Sequence, residues 1–299
     1  MIEFKHYPAS LVACVLLALG ASSSATTTGH WSVVNQPARL VNGSPVLFRV
    51  TTPKPVHTLS GNWLGHEIAF SSDAGRKSWF ALAGVSLETK PGAYPLQLHA
   101  ETLAGQSAGQ TISFEKKIRV QRQRYPRVPL NVPDRYTAPN PEDLRQIEQD
   151  KETKTEILRT VSAGREWNGS FAAPVNAEIS GVFGVERVFN GTAQSTHQGL
   201  DYRVPSGTEV AAVNSGRVIL ARPMFFEGNW VVIDHGQGLL TLYLHLSKFS
   251  VKEGDEVSKG QPIGLSGGTG RATGPHLHLA VRWQGVYLDP QVLLKMKLP

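Results

Sequence analysis

Three separated segments of this chain alternate leucine with residues that can bind a metal, and an extended backbone turns that alternation into two different faces. In a strand, successive side chains point to opposite sides. In "GPHLHLAV", His276 and His278 therefore share one face while Leu277 and Leu279 share the other. In "THQGLDYRVP", an extended course puts His197, Gly199 and Asp201 on one side with Leu200 opposite. In "LYLHLS", the same rule sets Tyr243, His245 and Ser247 against Leu242, Leu244 and Leu246. The expectation is a mainly β chain with greasy inner faces and a polar face that gathers imidazole and carboxylate.

The surrounding sequence supports β structure. Seventeen of the 29 glycines lie between Gly181 and Gly285 and separate runs such as "NWVVIDHGQGLLTLYLHL" and "QPIGLSG". "DHGQG" between two strong strands reads as a hairpin turn. Residues 171–299 are thus expected to form a compact antiparallel β domain. Residues 31–125 read as short alternating strands ("PVLFRV", "WFALAGV", "YPLQLHA", "TISFEKKIRV"), which suggests an immunoglobulin-like β-sandwich. His57, His66 and His99 fall there without metal-ligand spacing and read as surface or packing residues. Between them, residues 126–170 form a linker. Five prolines between Tyr125 and Pro141 argue against continuing a sheet, and "PEDLRQIEQDKETKTEILRTVSA" reads as one exposed amphipathic helix with Leu144, Ile147, Ile157, Leu158 and Val161 on its apolar side.

The first 25 residues have a charged start, a short apolar core "LVACVLLALG" and a small-residue exit, the pattern of a secretory signal peptide cleaved after Ala25. The apolar run is too short to span a bilayer, so no transmembrane helix is expected after cleavage. An alternative reads "LVAC" as a lipobox with Cys14 lipidated. Cys14 is the only cysteine, so the mature chain cannot rest on disulfides. The protein is expected in the periplasm or cell envelope, or outside the cell. Cleavage removes Glu3 and Lys5 together and leaves the formal charge at +6, which suits an anionic neighbour such as the envelope but is too diffuse for nucleic acid. The densest basic stretch, "KKIRVQRQRYPR", reads as the charged edge of a strand. No motif sets the oligomeric state, and a monomer is expected.

His197, Asp201, His245, His276 and His278 give five candidate groups, and a catalytic zinc site commonly uses three protein ligands plus an open position. Two groups are then left for proton transfer. Residues from about 171 to 291 resemble the lysostaphin-type zinc metallopeptidases that cut peptide bonds in bacterial peptidoglycan. The resemblance rests on His197 and Asp201 in His-x-x-x-Asp, followed in family order by "PSGTEVAA", "VVIDHGQG", "YLHLS", "VKEGDEVSKGQPIG" and "GTGRATGPHLHL". It implies one zinc per chain held by His197, Asp201 and His278, with His245 and His276 as unligated catalytic histidines and His235 structural. It also implies a peptidoglycan peptide as substrate, with stem-peptide cross-links favoured over glycine bridges. Ala280 departs from the family, where many relatives carry a bulkier or acidic residue, and this bears on the shape of the groove. Two other readings compete. One is a catalytically idle relative that binds another wall hydrolase, and the other is a wall-binding module with the β-sandwich as its active part.

Overall fold

The computed structural model describes residues 30–103, 110–191 and 193–299; the leader and Cys14 lie outside the described residues. Strands from Ser32 to Gln121 form two sheets, one of four strands and one of five. Gly92–Thr102 shows the period-2 pattern that drives this: Leu96, Leu98 and Ala100 are buried while Gln97, His99 and Glu101 face out. The two sheets pack face to face. Phe48 of one meets Trp63 of the other at 5.3 Å, and Trp63 Nε1–H donates across to the Gly84 carbonyl at 2.9 Å. His57 and His99 bond to Arg76 and Ser113, and His66 packs on Trp283, so none of the three approaches a metal-ligand cluster. The first half of the basic stretch lies on Thr111–Gln121, where Lys116, Lys117 and Arg119 are exposed.

The proline-rich segment corrects one sequence expectation. Arg127–Leu130 does join a sheet, pairing in parallel with Glu186–Phe189, which in turn pairs with Ala193–Thr196. The segment is the outer strand of three, and an outer strand tolerates Pro129 because one side of its ladder needs no donor.

The helix corrects another. It runs only over Pro141–Ile157, with Asn140 capping the amides of Glu142 and Asp143 and Pro141 in its first turn. Leu144 and Val161 are exposed, and the residues buried within the helix are Asp143 and Asp150. Apolar contact is confined to its end, where Ile157 and Leu158 pack on the sheet, and polar anchors hold the rest. Asp150 accepts from the Phe225 amide at 2.6 Å, Asp143 pairs with Arg135 at 2.6 Å, and Arg282 donates to the Leu158 carbonyl at the helix end.

The site rests on an eight-stranded sheet, whose central strands run Gly199–Tyr202, Leu277–Trp283, Leu239–Leu246, Gly228–Asp234 and Gly216–Met224 in spatial order. These pairs are all antiparallel. Leu277, Leu279, Val281 and Trp283 enter a core that continues into the N-terminal sheets and includes Trp167 and Phe171 of the connecting segment. Each such buried side chain contributes roughly 1.5–3 kcal/mol. The opposite face carries Leu220, Trp230, Val232, Leu240, Leu242 and Ala280 under Leu158. Both faces are covered, which explains why the central strands read as nearly unbroken apolar runs.

Candidate metal centre and groove

Asp201 and His278 are register partners on neighbouring strands. Because Leu200, Leu277 and Leu279 point into the core, strand alternation turns both polar side chains to the other face, as the spacing predicts. His197 arrives from just before the strand. Its Nε2 stands 3.0 Å from Asp201 Oδ1 and 3.0 Å from His278 Nδ1, and His278 Nδ1 lies 2.8 Å from the same Oδ1. Among the described residues these three form the group of acidic, histidine or cysteine side chains that could hold a metal ion.

The donor chemistry fits zinc. His197 Nδ1–H donates to the Val182 carbonyl at 2.7 Å, so Nε2 carries a lone pair toward the cluster. Burial works against the Asp201 carboxylate, yet the facing His197 and His278 rings hold it well below the usual carboxylate range. The Arg187 guanidinium bonded to Oδ2 acts in the same direction. Burial pushes His278 down to about 4, against the pull of Asp201. An anionic carboxylate and neutral imidazoles are the forms zinc accepts, and three tetrahedral ligands would stand about 3.3 Å apart. The spacing of 2.8–3.0 Å is close to that.

Gly199 makes the approach possible. A Cβ there would collide with the His278 ring nitrogen and come within 2.6 Å of the Leu279 carbonyl oxygen. Nothing but hydrogen fits between the strands at this position.

His276 and His245 sit beside the cluster. His276 Nε2 is 3.8 Å from Asp201 Oδ1, and the ring centres of His245 and His276 are 4.8 Å apart. Each donates Nδ1–H to a backbone carbonyl at 2.8 Å, His276 to Gly274 and His245 to Thr269, so in the neutral ring Nε2 is the nitrogen free to accept. Burial pushes His245 down to about 3, with His276 and His278 adding to the effect.

His245 arrives by a route that simple alternation does not describe. Tyr243 is fully buried on the core side, its hydroxyl accepting from the Val213 amide at 2.9 Å, while Leu242 and Leu244 line the groove. The expected face of Tyr243, His245 and Ser247 is thus corrected. The register with Gly228–Asp234 shifts between Asn229 and Val231, and His245 takes φ 64. The bulge re-aims one side chain, placing His245 on the groove side with the two leucines.

His235 is elsewhere and structural. Nδ1–H donates to the Ser215 carbonyl at 2.6 Å, and Nε2 accepts from the Thr241 hydroxyl at 2.7 Å. Burial lowers its pKa from an ordinary 6.5 to about 4. Between those values the unfolded chain binds the extra proton, so this contribution is complete above pH 6.5 and falls as pH drops toward 4. The loss amounts to about 3 kcal/mol. Urea midpoints at pH 7 and pH 4.5 should therefore differ more for the wild-type protein than for His235→Asn, and equal differences would rule this out.

The groove consists of two cavities of about 290 Å³ and 260 Å³. The first is bordered by His197, His245 and His278, the second by Asp201 and His276. A larger cavity of about 1130 Å³ lies between the N-terminal sheets and this unit; none of the five site residues lines it, but it shares Thr196, Gln198 and Tyr287 with the first. Arg187, Arg271 and the Lys154–Glu227 pair at 2.5 Å complete the walls. Sequence reasoning missed them, since no spacing rule links Arg187 to Asp201 or Lys154 to Glu227.

Comparison with known proteins agrees with this geometry. Residues 195–290 match the model of peptidase family M23. The chain is 48% identical over 103 residues to the peptidoglycan DD-endopeptidase ShyA of Vibrio cholerae, a match covering 34% of this chain and 23% of that protein. It is 46% identical over 94 residues to the DD-carboxypeptidase/endopeptidase Mpg of Neisseria meningitidis, covering 31% and 22%. The match thus spans under a quarter of either curated relative. A crystal structure of a Pseudomonas aeruginosa protein assigned to peptidase M23 superposes with a TM-score of 0.64 at 30% identity, covering 86% of this chain and 95% of that one.

Proposed function

This chain belongs to peptidase family M23, and we propose that it is an exported zinc metalloendopeptidase that hydrolyses peptide cross-links of bacterial peptidoglycan. One observation carries the reading: three ligand atoms within 4.8 Å of one another share a groove with two imidazoles whose Nε2, in the neutral ring, is free to accept. The names of the Vibrio and Neisseria relatives support the substrate class. The leader supports export to the envelope, and no helix among the described residues is long and apolar enough to cross a membrane.

His197, Asp201 and His278 would hold the zinc, which when bound supplies a Lewis acid that polarises a carbonyl and acidifies water. His276 takes the proton from the attacking water and passes it to the leaving amine. Its Gly274 carbonyl partner keeps Nδ1 protonated, which leaves Nε2 to accept. His245 stabilises the developing oxyanion. Its Nδ1–H is committed to Thr269, so it donates to the oxyanion only when Nε2 has taken up a proton of its own from solvent, separate from the one His276 carries from the water to the amine. Arg187 holds the second oxygen of Asp201 and so fixes which oxygen faces the zinc.

The N-terminal sheets position substrate, because the large cavity they border shares Thr196, Gln198 and Tyr287 with the groove. A catalytically idle scaffold would need this fold without the ligands, and the retention of all five groups in working geometry weighs against it. The test is metal analysis of the purified full chain, with mass spectrometry of defined muropeptides before and after chelation. About one zinc per chain is expected, with cleavage abolished by chelator and restored by zinc. Absence of transition metal together with no cleavage on adding zinc would sink the proposal.

A further inference from the structure

Arg271 carries a guanidinium that the fold grips yet leaves unpaired. Its carbon stands 4.5 Å from the centre of the Phe189 ring and 4.7 Å from that of Phe226, while its own amide is bonded to the Phe226 carbonyl at 2.9 Å. No side-chain hydrogen bond or ion pair engages it among the described residues. The charges around it are already matched in pairs. Glu227 is bonded by Lys154, and Arg187 by Asp201. Glu227 attracts Arg271 from a distance but spends its hydrogen bond on Lys154. Arg271 is therefore the guanidinium without a bonded carboxylate on a wall common to both cavities, the one bordered by His197, His245 and His278 and the one bordered by Asp201 and His276.

A guanidinium offers five N–H donors in a planar fork that matches a carboxylate. Two aromatic faces have already restricted this one and removed part of its water, so less freedom is lost when an anion arrives. The chemistry of the bond then limits which carboxylate it meets. In an amide between two amino acids, the acyl residue has used its α-carboxyl in the bond itself. The carboxylate nearest the scissile bond is therefore the one on the carbon that bears the scissile nitrogen.

Resting on the reading that this groove hydrolyses an amide, we propose that Arg271 binds the free carboxylate on the nitrogen-bearing residue of the cross-link. Arg271 is a substrate-binding residue that selects cross-links carrying that carboxylate and aligns them over the metal ligands and His276. It takes no part in proton transfer.

The test uses the zinc-loaded full chain and two synthetic cross-linked peptides that differ at one group, a carboxylate or a carboxamide on the carbon bearing the scissile nitrogen. Charge-assisted hydrogen bonding predicts about a 10- to 100-fold higher kcat/KM for the carboxylate peptide. Arg271→Met should bring the two within a few-fold of each other by slowing the carboxylate peptide alone, and Arg271→Lys should keep part of the preference. A purely structural role for Arg271 would slow both peptides together. Equal rates in the wild-type protein, or a preference that survives in Arg271→Met, overturn the proposal. If neither peptide is cleaved, the hydrolytic reading fails by itself, and calorimetric binding of the same two peptides decides for Arg271. Preference for the carboxylate that Arg271→Met abolishes supports the site, and equal binding rejects it.

Discussion

Replacing His278 by alanine is expected to strip the protein of zinc and abolish cleavage, while replacing His276 is expected to leave zinc in place and remove most of the turnover. Both histidines lie on one face of one strand and differ only in what they touch. His278 Nδ1 is 2.8 Å from the shared Asp201 oxygen, and its removal leaves His197 and Asp201 as a two-ligand site, which binds zinc far more weakly. His276 Nε2 stands off at 3.8 Å from that oxygen, with Nδ1 tied to Gly274. Its proposed role is to move a proton, which is worth about 10²–10⁴-fold in rate. His245→Ala should follow the His276 pattern. Zinc content and cleavage rate measured together for the three variants, with fold checked by circular dichroism, decide the matter. Zinc kept by His278→Ala and lost by His276→Ala would reverse the roles.

The second large effect is expected from a residue with no functional group. Gly199→Ala adds one methyl in a space already filled by the His278 ring and the Leu279 carbonyl, the latter 2.6 Å from the new carbon. The ring is the movable partner, because the carbonyl belongs to the ladder joining Gly199–Tyr202 to Leu277–Trp283. Zinc affinity should therefore fall by at least about 10–100-fold, the range seen when support around a metal ligand is lost, while thermal unfolding of the zinc-free protein shifts much less. Leu279→Ala should do the opposite, since it removes a buried side chain on the far face and costs about 2–5 kcal/mol of stability with the ligands in place. Zinc titrations alongside thermal unfolding separate the two. Unchanged zinc affinity in Gly199→Ala would show that the strands part easily here.

Where two-fold alternation and tertiary position agree, the site was legible in advance. Leu277, His278 and Leu279 point as the pattern requires, and so do Leu200 and Asp201, because the leucines have one core to enter and the polar groups must take the other face. The pattern failed at Leu239–Leu246. Leu242 and Leu244 could turn to the groove side because that side of the sheet is also apolar, and a bulge was needed to bring His245 round. Alternation assumes one wet face, and the centre of this sheet has none. The helix failed for a related reason. Its sequence reads as an exposed amphipathic helix with its apolar residues on one side, whereas Asp143 and Asp150 are the buried residues of the helix, each with a specific partner.

From its residues alone, this chain determined a β framework, the five groups of the groove and the division of leucine from histidine, since those follow from side-chain direction along a single strand. Only the tertiary structure decided which histidine meets which nitrogen, that Arg187 closes on Asp201, that Arg271 is left unpaired between two rings, and that a proline-rich connection becomes a strand. Those outcomes depend on distances between segments far apart in the chain. Such distances are set by packing and register across neighbouring strands, to which local periodicity is blind.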